Sequence, residues 1–324
     1  MRVINQYVMQ NAPADYHQNT YSQLLISFAS CLALMSSRRV FTYYLRPMIR
    51  KSIPLKEEKG KERSEEEIEK VAEKVENHFF DAIFYFVSAY YGWLICKDYD
   101  WFPTYLGGNG DLANSFTDLP FAKYDAQLPT YAFLTFGFRI ESFITCGFLR
   151  EHGNDYMEML FHDIVTIFLF LGYIYGHWMP IGTLIVIVHD ITDSPIHISK
   201  GLYSTKLTDM STYIFVIAQL MWLYLRLYAF PRIIYQLSQS SYPADREQFN
   251  GILPLCVGFL MALQCLHVLW FLMFQRINLA VIRKARGNIL SDVGHIGSDS
   301  PSATKDVQYE DKNNFSSEAK AKTN

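Results

Sequence analysis

The chain has 324 residues, half of them hydrophobic, and its 29 basic and 32 acidic residues leave a net charge of −3. We expect no nucleic-acid partner for a chain with so small a net charge. The apolar residues are not spread as the core of one large soluble domain requires, because they arrive in blocks. The composition therefore argues against a single soluble domain.

The apolar blocks have the length of membrane-spanning helices. A bilayer core needs about 20 largely apolar residues per helix, and seven stretches approach that length. We predict an all-α, polytopic integral membrane protein with about seven transmembrane helices, of which the first and fifth are the weakest. The predicted spans are residues 21–37, 79–96, 128–148, 156–176, 179–198, 210–230 and 252–275.

The orientation follows from the basic residues, which collect in cytosolic loops. Lys and Arg crowd residues 38–74, whereas residues 98–127 carry several Asp and only Lys123. This pattern predicts a luminal amino end and a cytosolic carboxyl end. The polar opening shows no signal peptide, so the first span is expected to direct targeting. Lys320 and Lys322 resemble a dilysine retrieval signal, which predicts the endoplasmic reticulum membrane.

Four regions divide the chain. The second contains a Glu- and Lys-rich stretch with an apolar stripe, which predicts an amphipathic helix on the cytosolic surface. The fourth is polar and Ser-rich, which predicts disorder. The regions are a luminal end with the first helix (1–37), a cytosolic linker helix (38–78), a catalytic membrane domain (79–277) and a cytosolic tail (278–324).

Ionisable residues inside the predicted spans are the first indication of chemistry. Such residues cost about 2.5 to 3.5 kcal/mol each at mid-bilayer, so they are kept where they are paired or used. His162 and Asp163 lie in the fourth span, and His189, Asp190 and Asp193 lie in the fifth. Counted at about 1.5 Å per residue from the cytosolic ends, the two groups lie at one level. They therefore form the candidate catalytic cluster.

Other spans add further ionisable groups. Arg139 and Glu141 in the third span are two residues apart and point to different faces, so each needs a partner on another helix. A structural ion pair is the simpler account of both. His267 in the seventh span fits either a hydrogen-bonded core histidine or a site residue, and Arg226 lies in the sixth.

The pattern as a whole resembles the Lag motif of the TLC-domain ceramide synthases. The likeness covers residues 80 to about 293, and its parts are specific only when taken together. Its residues are Asp155, Tyr156, Glu158 and Met159, His162 with Asp163, Gly182 and Leu184, His189-Asp190-x-x-Asp193, Lys200, Arg226-Leu227 with Phe230-Pro231, and Leu266-His267 with Trp270.

The resemblance implies a TLC-type helical bundle that moves a fatty acyl group from acyl-coenzyme A to the amine of a long-chain sphingoid base. It implies acyl-coenzyme A as co-substrate, no bound cofactor, no metal and contact with membrane lipid, and it leaves homo- and hetero-oligomers open. His162 is then the nucleophile or the base, with Asp190 or Asp193 fixing its tautomer.

The resemblance also implies the remaining roles, with one departure. Where the family has two adjacent histidines, this chain has Asp163 in the second position, and we expect Asp163 to support His162. Lys200 lies at the cytosolic mouth, where it could hold the anionic coenzyme. The residues assigned to substrate binding are His189, Lys200, Arg226 and His267.

Two other functions remain open. A seven-span zinc hydrolase of the alkaline ceramidase kind could use nitrogen and oxygen ligands, but this chain lacks the second histidine of an H-x₃-H pair near its last span. A TLC-domain protein without catalysis, acting as a lipid sensor or translocation partner, is the other alternative, and Asp163 favours it. The zinc ligands would be His162, His189, Asp193 and His267.

Overall fold

A computed structural model describes residues 20–56, 62–116, 124–149, 156–176, 178–239 and 253–285. Several sequence predictions fall outside these ranges. They include the luminal segment before residue 20, Asp155 of the motif, and the tail after residue 285 with its dilysine-like end.

The described chain is helical and, apart from two isolated bridges, contains no strand in those ranges. A helix lies at each of the seven predicted spans. The helices are α1 (Thr20–Ser52), α2 (Glu65–Cys96), α3 (Gln127–Ile144), α4 (Tyr156–Tyr175), α5 (Met179–Tyr203), α6 (Thr208–Tyr224), α7 (Phe230–Gln239) and α8 (Leu253–Ala285).

Six helices in the described part of the chain are long and apolar enough to cross a membrane. One of them runs through α6 and α7 without a break, because a π-helical turn at Leu225–Ala229 joins the two. Of the helices at the seven predicted spans, α3 is the one that is not among these six. It is only 18 residues long and carries Arg139 and Glu141. Both charged side chains are buried, so α3 directs its polar groups toward other helices. The prediction of an all-α polytopic membrane protein is confirmed.

The predicted linker helix differs from the expectation of a separate surface helix. It forms the first part of α2, which starts with a capping box in which Ser64 accepts from the Glu67 backbone N–H at 3.2 Å. No proline interrupts α2 before Cys96, so the helix continues into the second span. Its apolar stripe is buried against the end of α1 rather than facing solvent. That contact consists of Ile49 on α1, Ile53 directly after it, and Ile68, Ala72 and Val75 from α2.

The bundle is built around α5, the most buried of the candidate spans. Helices α2, α3, α4 and α6 all pack against it. Glycines allow the closest approaches: a Cβ at Gly182 would lie 2.3 Å from Cγ of Tyr173 on α4. A Cβ at Gly172 would lie 2.8 Å from Sγ of Cys256 on α8, so α4 packs closely on α8 at this glycine.

The two ends of the bundle are distinguished by their loops. At the linker end, where α1 stops and α2 starts, the backbone N–H of Lys206 donates to the Ser52 carbonyl at 2.9 Å. This contact places the carboxyl end of α5 beside the end of α1. At the other end, the predicted irregular segment after α2 folds into two short 3-10 turns, with Gly107 at φ 88°.

Candidate active site

A partly open cavity lies between α3, α4, α5, α7 and α8. Its walls are largely apolar, with a few polar groups, as in many small-molecule sites. The polar groups are Arg139, His162, Thr166, Tyr173, His189 and Asp193. The apolar walls come from Leu169, Phe170, Trp178, Ile181, Ile185, Val186, Leu237, Cys256, Leu260 and Leu263, with Gly182.

The cavity is polar at one end and apolar at the other. On α4 it extends from His162 to Tyr173, which is about 16 Å along the helix. On the antiparallel α5 it extends from Asp193 back to Ile181. His162 and Asp193 therefore share the linker end, and the apolar residues fill the other end.

His162 is held by the residue beside it. Its Nδ1 lies 3.3 Å from Oδ1 of Asp163, and its ring centroid lies 5.5 Å from that of Trp270. Both side chains of the pair are only slightly exposed, at 14% and 13%. Because a carboxylate only accepts, the shared hydrogen is on Nδ1 and Nε2 keeps its lone pair in the neutral ring. Asp163 is thus hydrogen-bonded to the ring of His162.

His189 brings a second imidazole to the cavity. Its Nδ1 lies 2.7 Å from the carbonyl oxygen of Ile185, one turn earlier on α5. A carbonyl oxygen accepts only, so Nδ1 carries the hydrogen and a neutral ring has its lone pair at Nε2. That Nε2 is buried and has no hydrogen-bond partner among the residues that the structure describes.

Asp190 does not contact His162, contrary to the expectation that it orients that ring. It is fully buried and accepts a hydrogen bond from Nη2 of Arg139 on α3 and another, at 2.6 Å, from Ser88 on α2. It is not among the residues that line the cavity. The physical reason is rotation about α5: Asp190 faces α2 and α3, whereas His162 lies on α4.

Asp193 lines the cavity, but its carboxylate is paired with Arg226. Nη2 of Arg226 donates to Oδ1 of Asp193 at 2.5 Å. The guanidinium also donates to Thr192 Oγ1 at 2.7 Å and to the His189 carbonyl at 3.0 Å. Arg226 is 1% exposed and lies in the π-helical turn, an uncommon element that often occurs at functional sites.

His267 is the remaining hydrogen-bond partner of Arg226. Both residues were assigned to substrate binding, and their contacts in the bundle differ from that assignment. Nη1 of Arg226 lies 2.7 Å from Nε2 of His267. Arginine has no acceptor, so Nε2 accepts and His267 is a neutral, hydrogen-bonded core histidine. Neither residue lines the cavity, because both turn toward the contact between α5, α6 and α8. They are therefore not placed to touch a substrate.

The same contacts argue against the zinc alternative. A guanidinium lies between two of its proposed ligands, bonded to Nε2 of His267 and to Asp193. A cation at that position would repel the Arg226 charge. In the described part of the chain, no group of three His, Cys, Asp or Glu is arranged to hold a metal ion.

Sequence reasoning missed Arg139 and Tyr173 as cavity residues. Arg139 was expected to form a structural pair on another span, and the bond to Asp190 confirms this. Its Nε, however, is buried at the cavity without a partner in the described ranges, as is the Tyr173 hydroxyl. The charge of Arg139 inside a predicted span could have indicated a site residue. Nothing in the sequence distinguishes Tyr173 from the other tyrosines.

Glu141 pairs with Arg38 on α1, so it has a partner on another helix, as the sequence predicted. Arg38 donates to both carboxylate oxygens of Glu141, at 2.8 and 2.9 Å, and to Asp81 on α2 at 2.8 Å. This network ties three helices together away from the cavity. Lys200, the last of the predicted substrate-binding residues, is exposed near the end of α5 at the linker end.

Comparison with known proteins matches the part of the chain that contains the cavity. The family model described as TLC domain matches residues 74–276. Human ceramide synthase 5 is 27% identical over 187 residues, which is 56% of this chain and 45% of that protein. The nematode ceramide synthase hyl-1 from Caenorhabditis elegans is 23% identical over 233 residues, 68% of this chain and 60% of that protein.

A third relative is human ceramide synthase 4, which is 27% identical over 142 residues, 43% of this chain and 36% of that protein. The chain thus spans between 36% and 60% of the length of these three relatives. The likeness is modest in identity, and the matched region contains the cavity.

Proposed function

This chain belongs to the TLC-domain family, and we propose that it is a ceramide synthase, which transfers a fatty acyl group from acyl-coenzyme A to the amine of a sphingoid base. The observation that carries the proposal is the pairing of His162 with Asp163 at the polar end of an otherwise apolar cavity. The names of the related proteins support the same activity.

The apolar end of the cavity is suited to a fatty chain. Burial of apolar carbon is favourable by about 0.8 kcal/mol per CH₂, so a tail of about 16 carbons gains roughly 12 kcal/mol. A chain that enters tail first leaves its carboxyl carbon at the end that contains His162. The apolar walls thus determine how far the fatty chain enters the cavity, and they place the thioester beside the imidazole of His162.

We assign the acyl carbon to Nε2 of His162. The Asp163 carboxylate accepts the hydrogen of Nδ1, so Nε2 carries the lone pair that attacks. The same carboxylate stabilises the positive charge that develops on the ring when Nε2 attacks. The C–S bond of the thioester breaks and the coenzyme leaves as a thiolate. The sphingoid amine then attacks the acyl carbon, and the new C–N bond forms as the bond from that carbon to Nε2 of His162 breaks. The proton that the amine loses balances the thiolate.

The proposed setting in the cell follows the charge pattern of the chain. We place the linker end of the bundle in the cytosol and the protein in the endoplasmic reticulum membrane. Acyl-coenzyme A is anionic and cytosolic, and Lys200 is an exposed cation at that end. The amine and the thioester would then meet at the cytosolic level of the cavity.

The test is direct synthesis by the isolated membrane fraction. Membranes that contain the full chain are incubated with a long-chain sphingoid base and acyl-coenzyme A of several chain lengths, and the N-acylated product is measured by mass spectrometry. We expect product with at least one chain length and none with His162→Ala. Binding of both substrates without product from the wild-type chain would overturn the proposal and favour a lipid-binding protein.

A further inference from the structure

A second imidazole lines the cavity that contains His162, and one of its nitrogens has no partner among the described residues. That nitrogen is Nε2 of His189, which is buried. A buried nitrogen without a partner costs free energy, so such a nitrogen on a residue that lines a cavity is a candidate to bind a ligand group. The acceptor lone pair at Nε2 would bind a donor N–H.

The surroundings of His189 fix the ring in this orientation. Its Nδ1–H donates to the Ile185 carbonyl at 2.7 Å. The ring centroid lies 5.0 Å from that of Phe230 on one side and 5.0 Å from that of His267 on another. The backbone carbonyl of His189 accepts from Arg226 at 3.0 Å. A ring held from three directions keeps one orientation beside the cavity.

Other polar groups in the cavity are less suited to accept a proton. Oδ1 of Asp193 accepts from Arg226 at 2.5 Å, and this ion pair stabilises the charged carboxylate and makes it a weaker base. Arg139 has donors only. The Tyr173 hydroxyl is about 16 Å along α4 from His162, so it lies at the apolar end. Apart from His162, which holds the acyl carbon, His189 is the other imidazole that lines the cavity.

We propose that His189 is a second catalytic histidine, which binds the sphingoid amine through Nε2 and accepts the proton that the amine loses. The inference rests on the proposed function. The amine nitrogen attacks the acyl carbon held at His162, the C–N bond forms as the bond from that carbon to His162 breaks, and one N–H proton moves to Nε2 of His189. The imidazolium then returns this proton to the water at the cavity mouth.

The proposed division of labour does not require a histidine at position 163. With Asp163 in the second position, His162 has an orienting carboxylate but no neighbouring imidazole. His189 supplies the second imidazole from the facing helix instead. Nucleophile and base then lie on different helices, so each can be tested without altering the other.

Two variants test the two ring nitrogens of His189 separately, Nε2 as the proton acceptor and Nδ1 as the donor to the Ile185 carbonyl. Asn places an amide nitrogen near the position of Nδ1, so His189→Asn keeps the hydrogen bond to Ile185 and removes Nε2. Gln places its amide near the position of Nε2, so His189→Gln fills the space without a basic group. The matched control is His197→Asn, which removes an imidazole from the same helix two turns away and leaves the cavity untouched.

The first measurement is the N-acylation rate with two amines of equal chain length. One is a sphingoid base, and the other is an O-alkyl hydroxylamine, whose weakly basic nitrogen loses its proton to water readily. We expect both His189 variants to be slower by about 100-fold with the sphingoid base and by about tenfold or less with the hydroxylamine. The control should match the wild type with both amines.

The second measurement is release of coenzyme thiol from acyl-coenzyme A in the absence of any amine. This first half of the reaction uses His162 alone, so we expect the His189 variants to release thiol at the wild-type rate. Equal losses with both amines, or loss of thiol release, would assign His189 a structural role and overturn the inference. Wild-type chain without activity toward either amine would instead overturn the proposed function.

Discussion

Arg139 on α3 donates a hydrogen bond to Asp190 on α5, and the two charges are buried together beside the cavity. Ser88 supplies a second hydrogen bond to the same carboxylate from α2. One pair of charges thus joins three helices and fixes the rotation of α5. That rotation is what points His189 and Asp193 into the cavity.

The first prediction concerns Asp190. Asp190→Asn leaves Arg139 buried without a countercharge, so we expect a loss of about 3 to 5 kcal/mol in the free energy of unfolding and a lower yield of folded protein. Thermal unfolding in detergent measures the change.

The control for this prediction is the double variant Arg139→Gln with Asp190→Asn, in which neither charge remains. We expect it to be more stable than Asp190→Asn alone, since two neutral amides can share a hydrogen bond where an unpaired guanidinium cannot. A double variant as unstable as the single one would show that the ion pair does not stabilise the bundle.

The second prediction concerns Arg226. Arg226→Lys keeps the charge, but one ammonium cannot reach Thr192, His267 and Asp193 together in the geometry of the guanidinium. We expect a loss of about 3 kcal/mol in the free energy of unfolding. The matched control is Arg232→Lys, because Arg232 is exposed, donates to the Tyr228 hydroxyl at 2.6 Å and otherwise lies over the Tyr105 and Tyr228 rings.

For Arg232→Lys we expect a change within about 0.5 kcal/mol, as for most surface substitutions. Thermal unfolding of the three proteins side by side makes the comparison. If Arg226→Lys were no less stable than Arg232→Lys, the buried guanidinium would not organise the contact between α5, α6 and α8.

The helices could be predicted from the sequence, but most of the contacts between them could not. Apolar length alone locates the spans, since a bilayer requires it, and the charge rule for α3 correctly demanded partners for Arg139 and Glu141. Which partner each residue takes depends on how every helix is rotated and which helices are neighbours. Asp190 and Asp193 were both placed in the candidate catalytic cluster.

In fact Asp190 and Asp193 bond to different arginines on different neighbours. Residues three apart on a helix differ by about 60° in direction, which is enough to turn one toward α3 and the other toward Arg226. The local pair of His162 and Asp163 was predictable because adjacent residues need no tertiary information. His189 was assigned to substrate binding, but its orphaned Nε2 is visible only in the folded bundle.

The third prediction uses glycines with different surroundings. A Cβ at Gly182 would lie 2.3 Å from the Tyr173 ring, so Gly182→Ala should cost about 1 to 3 kcal/mol in the free energy of unfolding through overpacking. Gly258 on α8 has no heavy atom within 4 Å of the same position, so Gly258→Ala should be neutral or slightly stabilising. Thermal unfolding distinguishes the two, and equal losses would contradict the close packing of α4 on α5.

The last prediction concerns the pair of His162 and Asp163. With Nδ1 of His162 bonded to Asp163 at 3.3 Å, the carboxylate fixes the tautomer and stabilises the imidazolium. Asp163→Asn can still accept a hydrogen bond but lacks the charge, so we expect a loss of activity of about 100-fold or more with little change in stability, because Asp163 is not fully buried.

Asp163→His restores the adjacent histidine pair of the family and provides the informative comparison. If His162 leads and its neighbour supports, Asp163→His keeps partial activity, since a histidine can also accept the Nδ1 hydrogen. His162→Ala should abolish product in either background, including the double variant with Asp163→His. The measurement is the N-acylation rate of the four variants at equal protein level. An inactive wild type that gains activity only as Asp163→His would show instead that the second position leads, and would move the nucleophile from His162 to its neighbour.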